Sequence, residues 1–334
     1  MDISIIIVNY KTPELTINCI QSIYKHTKCS FEIILVDNNS QDGIEGVVSK
    51  KFPKVKLIQI GYNSGFAKAN NEAIKIAQAD FTILLNSDTV LVEDIFSKCI
   101  SYWRESSENI GLLGCKLRNP DGTLQLNSFW GANTIKRTWH ANPIIIFFNK
   151  LLGIEHPRKI YPSFQIKDQE KCVDWISGAF MMMDTQTLKK EKFYLDEDFF
   201  MYSEDIELGF RVNKKGYKVV YYPFGSVIHL GGGGTNVPLT RRPQLMISSW
   251  LCLLKTKGRV YFLLNQVLLT INLLLDEFLF LRRKYFFKRS ISISDLKAKL
   301  IRRLEWHLLL KYTKPILMFS SKTSSSTNSL KFNR

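Results

Sequence analysis

Three short stretches of this 334-residue chain gather the side chains that could do chemistry. The first is Asn86-Ser87-Asp88. An acidic turn of this kind can hold a divalent cation against a diphosphate, because hard cations favour carboxylate and phosphate oxygens. The same tripeptide is also ordinary turn chemistry. The second runs from Ser203-Glu204-Asp205 to Glu207 and Arg211, directly after Asp196-Glu197-Asp198-Phe199-Phe200-Met201-Tyr202. Carboxylates beside aromatics suit a general base, since burial and like charge raise a carboxylate's pKa toward neutrality. Acids are equally at home in the solvated first turn of a helix. The third is His229-Leu230 followed by Gly231–Gly234 and Thr235. A neutral imidazole can complete a metal site, and glycines permit a loop that closes over phosphates. A structural histidine beside a merely flexible run would read the same way.

The elements that carry these residues follow from hydrophobic periodicity. The first ninety residues alternate short β-branched runs with helical patterns, as in a parallel α/β sheet. Ile3–Val8 is a continuous apolar run, as a central strand buried on both faces requires. Leu15–Tyr24 has helical spacing and is entered through Thr12-Pro13. Strands are expected at Glu32–Val36, Lys56–Ile60 and Phe81–Leu85, and a helix over Phe66–Gln78. Asp37-Asn38-Asn39-Ser40, Gly61–Gly65 and Asn86-Ser87-Asp88 each fall just past a strand's carboxyl end, the edge where open parallel sheets bind ligands. Asn119–Thr123 is a turn, Ile144–Leu152 an apolar stretch of undecided type, and Tyr217–Tyr222 a further strand ending near His229.

The formal charge of +16 is carried by one end of the chain. Residues 1–240 hold 27 Lys and Arg against 26 Asp and Glu, whereas residues 241–334 hold 19 against 4. An anionic partner is therefore expected for the tail alone. Val260–Leu281 is about as long and apolar as a membrane span. However, Asn265, Asn272 and Asp276 recur on one helical stripe with Glu277 alongside, which suits a helix lying in the membrane interface. Basic and aromatic residues interleave over Arg282–Arg289. Leu296, Leu300, Leu304 and Leu308 then form a stripe opposite Lys299, Arg302 and Arg303. An anchor drawn to anionic lipids explains this concentration of charge and apolarity; a helical subdomain packed on the core is the alternative. The long apolar runs are wrong for a nucleic-acid groove, so no nucleic-acid partner is expected. Six scattered cysteines without a Cys-x-x-Cys pair read as reduced thiols, and the short first apolar run is not a signal peptide. The expected domains are 1–240, a catalytic α/β domain; 241–319, a basic, apolar helical extension; and 320–334, a disordered tail.

The order and spacing of these stretches resemble family 2 glycosyltransferases of the GT-A fold, in particular their bacterial rhamnosyltransferase-like branch. Ile5–Tyr10, Val36–Ser40, Asn63–Asn71, Leu84–Asp88, Trp175–Ala179, Phe199–Arg211 and His229–Gly232 carry the resemblance, over about residues 3–235. It implies a Rossmann-like, mostly parallel sheet flanked by helices. It further implies that Asn9, Tyr10, Asp37, Asn39, Asn63, Gly65, Asn71 and Asn86 surround the donor nucleotide. Asp88 and His229 would hold Mg2+ or Mn2+, with Asn86 standing where the family's Asp-x-Asp signature begins with Asp. Trp175, Gly178, Ala179 and Glu204 would form the acceptor side, and Asp205 would be the catalytic base, with Arg211 as an internal ion-pair partner.

The activity so implied is inverting transfer of a sugar from a nucleotide-diphosphate donor to a hydroxyl of a lipid-linked glycan, as in O-antigen or capsule synthesis. dTDP-rhamnose is the first choice of donor, with UDP-hexoses or UDP-galactofuranose as alternatives. The expected location is peripheral, on the cytoplasmic face of the inner membrane. A sugar-nucleotide pyrophosphorylase would carry a glycine-rich basic loop after the first strand, where this chain has Asn9-Tyr10-Lys11-Thr12-Pro13-Glu14. A degenerate, non-catalytic sugar-nucleotide-binding subunit is the reading from another class, motivated by Asn86.

Overall fold

A computed structural model describes residues 1–125, 171–231, 240–285 and 293–318. They divide into two compact units, one holding the described residues up to Gly231 and the other those from residue 240 onward. The expected apolar segment at Ile144–Leu152, the glycines after Gly231 and the tail from residue 320 lie outside the described residues.

The first unit is built on one sheet. Its strands are β1 (Ile3–Asn9), β2 (Phe31–Asp37), β3 (Lys56–Gln59), β4 (Phe81–Asn86), β5 (Thr89–Leu91), β6 (Ile110–Arg118), β7 (Lys171–Cys172), β8 (Phe180–Asp184) and β9 (Lys218–His229). The order is β3-β2-β1-β4-β8-β6-β9-β5, with β7 beside β9. The half from β3 to β4 is parallel, as the sequence pattern requires. Beyond β4 the sheet is mixed: β8 is antiparallel to both β4 and β6, while β6 and β9 run parallel. Because β8 reverses the direction between them, β4, β6 and β9 all point their carboxyl ends to one edge. Asn9, Asp37, Asn86 and His229 close their strands along that edge.

Helices cover both faces, which is why β1 is apolar at nearly every position. Ile3, Ile5 and Ile7 pack with α1 (Pro13–His26), α2 (Ile44–Lys51) and α4 (Ile95–Glu105) through Cys19, Ile23, Val48 and Phe96. Ile6 packs on the opposite face with α3 (Phe66–Ile76), α5 (Thr185–Glu191) and α6 (Glu204–Lys214) through Ala73, Leu188 and Leu208. The second unit consists of α7 (Arg242–Lys257), α8 (Arg259–Tyr285) and α9 (Ile293–Met318).

One buried amide fixes the long connection that leads into α6. Asn71 of α3 donates from Nδ2 to the Leu195 carbonyl (2.8 Å) and the Glu197 carboxylate (3.0 Å). Its Oδ1 accepts from the Leu195 N–H at 3.0 Å. Losing this three-way clamp would leave buried backbone groups unpaired. Asn71→Ala is therefore expected to destabilise the unit by about 3 kcal/mol, lowering Tm by about 10 °C in calorimetry; a fall of only a degree or two would show that the clamp is dispensable.

Candidate active site

At the carboxyl edge the polar strand ends are bound to one another. Asn9 is fully buried. It donates to Asp37 Oδ1 (3.2 Å), Ser40 Oγ (2.9 Å) and Asp42 Oδ2 (3.0 Å), and it accepts from Thr16 Oγ1 at 2.9 Å. Asn9 and Asn71, both expected among the nucleotide contacts, thus have their amides engaged inside the protein, bracing the walls of the edge. Tyr10 is exposed, with the Lys11 ammonium 5.6 Å from its ring centroid. Asn39 adopts a left-handed backbone with φ of 61°.

Asn38, which sequence reasoning passed over, ties two of these loops together. Its Nδ2 donates to Asn63 Oδ1 (3.1 Å) and the Gly65 carbonyl (3.2 Å), and its Oδ1 accepts from the Ser64 N–H at 2.9 Å. Gly65 has φ of +85°, and a Cβ there would strike the Phe200 carbonyl oxygen. Only glycine satisfies both the left-handed turn and the close approach. The next residue exploits that approach: the Phe66 N–H donates to the Phe200 carbonyl at 2.8 Å. The loop before α6 is thereby held against the loop after β3.

That loop carries strain. Tyr202 and Ser203 are consecutive left-handed residues with φ of 72° and 67°, neither of them glycine. Each costs on the order of 1–3 kcal/mol and persists only where the surroundings enforce it. Glu204 and Asp205 follow at once, in the first turn of α6. Asp205 Oδ2 accepts from the Gly178 N–H at 3.2 Å, and Oδ1 from the Ile206 N–H at 2.9 Å. Burial pushes the Asp205 carboxyl up from 3.8 to about 6, against the lowering effect of those N–H groups. Glu204 is 5 % exposed, and its Oε2 has no hydrogen-bond partner among the described residues. Burial, then the neighbouring Asp205 charge, raise it well above the usual carboxylate range.

The expected Arg211 partnership with Asp205 does not form. Arg211 Nε donates to both carboxylate oxygens of Glu207 at 2.8 Å, and its other nitrogens bond the Lys192 and Tyr194 carbonyls. Glu207 lies one turn before Arg211 on the same helix face, whereas Asp205 does not. This diversion takes away the cation that would have held Asp205 at an ordinary carboxylate value.

At the other corner, His229 Nε2 lies 3.2 Å from Asp88 Oδ1 and 3.4 Å from Asn86 Nδ2. Gln125, a second residue without a sequence signal, assigns the tautomer. Its Nε2 donates to the His229 carbonyl at 2.7 Å, which turns its Oε1 toward His229 Nδ1 at 2.9 Å. Nδ1 therefore carries a hydrogen, and in the neutral ring Nε2 would offer its lone pair beside the Asp88 carboxylate. Two electron-pair donors facing each other, with the imidazole's far N–H held by an amide oxygen, is the donor set that a hard divalent cation accepts. Among the described residues no third His, Cys, Asp or Glu joins them, so waters or phosphate oxygens would complete such a site. Gly231 packs so closely on Asp88 that a Cβ there would collide with the carboxylate.

A short run of backbone joins the two corners. The Asn86 N–H donates to the Ala179 carbonyl at 3.1 Å, and Gly178, one residue earlier, holds Asp205. Gly178 and Ala179 thus lie between the Asp88–His229 pair and Asp205. Trp175 is half-buried against Gly209, and its indole Nε1 has no hydrogen-bond partner among the described residues. A raised carboxyl on one side, an imidazole–carboxylate pair on the other and a glycine between them can take up a proton at one point and hold, at another, a cation that would neutralise anionic charge.

The raised value of Asp205 has a consequence for stability. A folded-state pKa of about 6, above the ordinary aspartate value of 3.8, means that the folded protein holds a proton the unfolded chain releases. The resulting stability is fully present below pH 3.8 and is lost as pH rises through about 6. Asp205→Asn is expected to melt higher than the parent at pH 8, with the gap closing near pH 4. A variant less stable than the parent at pH 8 would contradict the assigned environment.

Residues 4–152 match the family model described as glycosyl transferase family 2. Over 221 residues, 61 % of this chain and 67 % of the relative, the sequence is 27 % identical to the N-acetylglucosaminyl-diphospho-decaprenol L-rhamnosyltransferase of Mycobacterium tuberculosis. Over 232 residues, 68 % of this chain and 67 % of the relative, it is 26 % identical to the low-salt glycan biosynthesis hexosyltransferase Agl10 of Haloferax volcanii. Among solved structures, a mannosyltransferase from Pyrobaculum calidifontis in complex with GDP-Man and Mn2+ shares the fold, with a TM-score of 0.55 at 13 % identity over 95 % of this chain and 87 % of that one. The strand-end loops, the sheet and these likenesses agree: residues 4–152 carry the match to family 2 glycosyltransferases, on a sheet with the GT-A fold.

Proposed function

We propose that the protein is an inverting glycosyltransferase, with Asp205 as the base that activates an acceptor hydroxyl. The observation that carries this reading is the Asp205 carboxyl, raised by burial to about 6 and fixed by the Gly178 N–H, at the edge that also carries Asp88 and His229. A base with a pKa near the working pH is largely ionised and still basic enough to accept a proton in the transition state. Asp205 takes the hydroxyl proton as that oxygen forms a bond to the anomeric carbon. The bond from that carbon to the donor's diphosphate oxygen breaks in the same step, and nucleoside diphosphate leaves from the opposite face. A single displacement inverts the anomeric configuration and needs no enzyme nucleophile, by the same logic as inverting glycosidases.

Asp88 and His229 would hold Mg2+ or Mn2+, which when bound supplies positive charge to the departing diphosphate. The loops carrying Tyr10, Asp37, Asn39, Asn63 and Gly65 would form the nucleotide side, with Asn86 beside the diphosphate. Trp175, Gly178, Ala179 and Glu204 would form the acceptor side. The relative from Mycobacterium tuberculosis supports rhamnose as the sugar and a polyprenyl-diphosphate-linked glycan as acceptor, and dTDP-rhamnose is the first choice of donor. UDP-hexose or UDP-galactofuranose is the alternative donor. Work on a lipid-linked acceptor would place the protein on the cytoplasmic face of the inner membrane, where cell-surface polysaccharides begin.

Calorimetric titration with dTDP-, UDP- and GDP-sugars, with and without Mn2+, tests the donor. Metal-dependent binding of one nucleotide class is expected; folded protein that binds none of them would point to a degenerate domain instead. In the transfer assay, Asp205→Asn should lower kcat about a thousandfold while leaving donor affinity within about twofold. The rate of the parent should rise with pH through about 6, as the base loses its proton. Normal turnover in the variant would remove Asp205 from the mechanism.

A further inference from the structure

The helix α8 is built inside out for a protein surface in water. Val260, Leu264, Val267, Ile271, Leu274 and Phe278 follow one another at alternating spacings of four and three, and the pattern continues to Leu281 and Tyr285. That period keeps them on one face. The six are between 41 % and 69 % exposed. Meanwhile Asn265, Gln266 and Asn272 of the same helix are 1 %, 5 % and 8 % exposed. An amphipathic helix on a soluble protein turns its apolar stripe inward and its amides outward. Here the polar stripe expected to face a membrane interface is the buried one, and an apolar face as long as the helix is left uncovered. Soluble monomers rarely expose contiguous apolar patches beyond a few hundred Å².

We infer that this outer face of α8 is a lipid-embedding surface: the helix lies in the plane of an anionic bilayer with its apolar stripe among the acyl chains. The inference rests on the proposed membrane location and adds which surface makes the contact. Charge complementarity identifies the occupant. Exposed Lys257 and Arg259 stand at one end of the stripe and exposed Arg282 at the other, where anionic headgroups would meet them. The acids Asp276 and Glu277 are half-buried, with Glu277 4.0 Å from Arg302 of α9.

Length and apolarity alone would let α8 cross a membrane. Its neighbour forbids that. α9 packs on α8 with the Lys299 ammonium 4.9 Å and the Arg302 guanidinium 5.5 Å from the Phe280 ring, and it also carries Arg303, Lys311 and Lys314. A crossing would drag these charges through hydrocarbon, whereas an in-plane helix leaves them on the headgroup side. A second copy of the chain fits the stripe less well. Paired helices carry charged residues beside the apolar seam, and here exposed Tyr261 and Leu263 flank it.

The full chain would be floated with vesicles of phosphatidylethanolamine and phosphatidylglycerol, and with phosphatidylcholine alone, in low salt and in about 1 M NaCl, where headgroup attraction is screened within about 3 Å. The comparison is the triple variant Val267→Glu, Leu274→Glu, Phe278→Glu. All three positions are exposed, so the fold is expected to survive, as unchanged nucleotide binding would confirm. The parent should float with the anionic vesicles and stay bound in high salt, and the triple variant should partition at least tenfold less. Equal partition of the two proteins would overturn the inference. So would complete release of the parent by salt, which would leave the membrane location standing on surface charge alone. A triple variant that binds vesicles normally but sediments as monomers where the parent sediments as dimers would assign the stripe to a second copy. Failure of the parent to bind any vesicle would overturn the membrane location as well.

Discussion

The hydrogen bond from the Phe66 N–H to the Phe200 carbonyl, made across a glycine, is the contact on which the site depends. On one side of it are the loops after β2 and β3, knotted through Asn38. On the other is the loop that delivers Glu204 and Asp205 into the first turn of α6. Nothing in the local sequence favours two left-handed residues in succession at Tyr202 and Ser203. Bonds on either side of them impose that path: the Phe200 carbonyl upstream, the Asn71 clamp on Leu195 further back, and the Glu207 N–H donating to the Ser203 carbonyl downstream. Strain that the scaffold over-determines in this way can aim a side chain more rigidly than a relaxed loop could.

Electrostatics then separates the two corners of the site. Arg211 lies within the same helix as Asp205 yet is consumed by Glu207 and two carbonyls. Among the described residues no cation pairs with the two acids, and burial outweighs the N–H groups that bond Asp205. At the other corner the acceptors Asp88 and His229 face each other, with Gln125 fixing the ring. One corner therefore favours binding a proton and the other favours binding a cation. A transfer reaction with a proton to remove and a diphosphate to release calls for these two properties. The Asn86–Ala179 and Gly178–Asp205 bonds keep them in fixed relation.

The half of the fold from β3 to β4 was legible because β1, β2 and β4 are buried on both faces and its strands end in polar clusters. Ile3–Val8 could hardly be anything but a central strand. The crossing to the mixed half was not legible. β8 reads Phe-Met-Met-Met-Asp, without alternation, and its antiparallel insertion between β4 and β6 depends on contacts that local pattern does not record. Among site residues, Asp88, Asp205 and His229 stood out by type and position. Gln125 and Asn38 did not, because their roles exist only through partners 104 and 25–27 residues away. Asn9 and Asn71 stood out as expected nucleotide contacts, and the fold engages their amides inside the protein: the sequence shows a polar group at a strand end or on a helix, and not whether the fold turns it inward. In α8 periodicity gave the stripe correctly and left its direction open. The neighbouring leucine stripe fared unevenly, with Leu308 buried and Leu300 exposed, while Lys299 and Arg302 lie over Phe280.

The stereochemistry of the product tests the central claim most directly. The protein would be given the nucleotide sugar it binds and a prenyl-diphosphate-linked acceptor, and the configuration of the new glycosidic bond compared with that of the donor by NMR coupling constants. One displacement assisted by the Asp205 carboxylate predicts inversion at the anomeric carbon. Retention would require a different mechanism and would contradict the role assigned to Asp205.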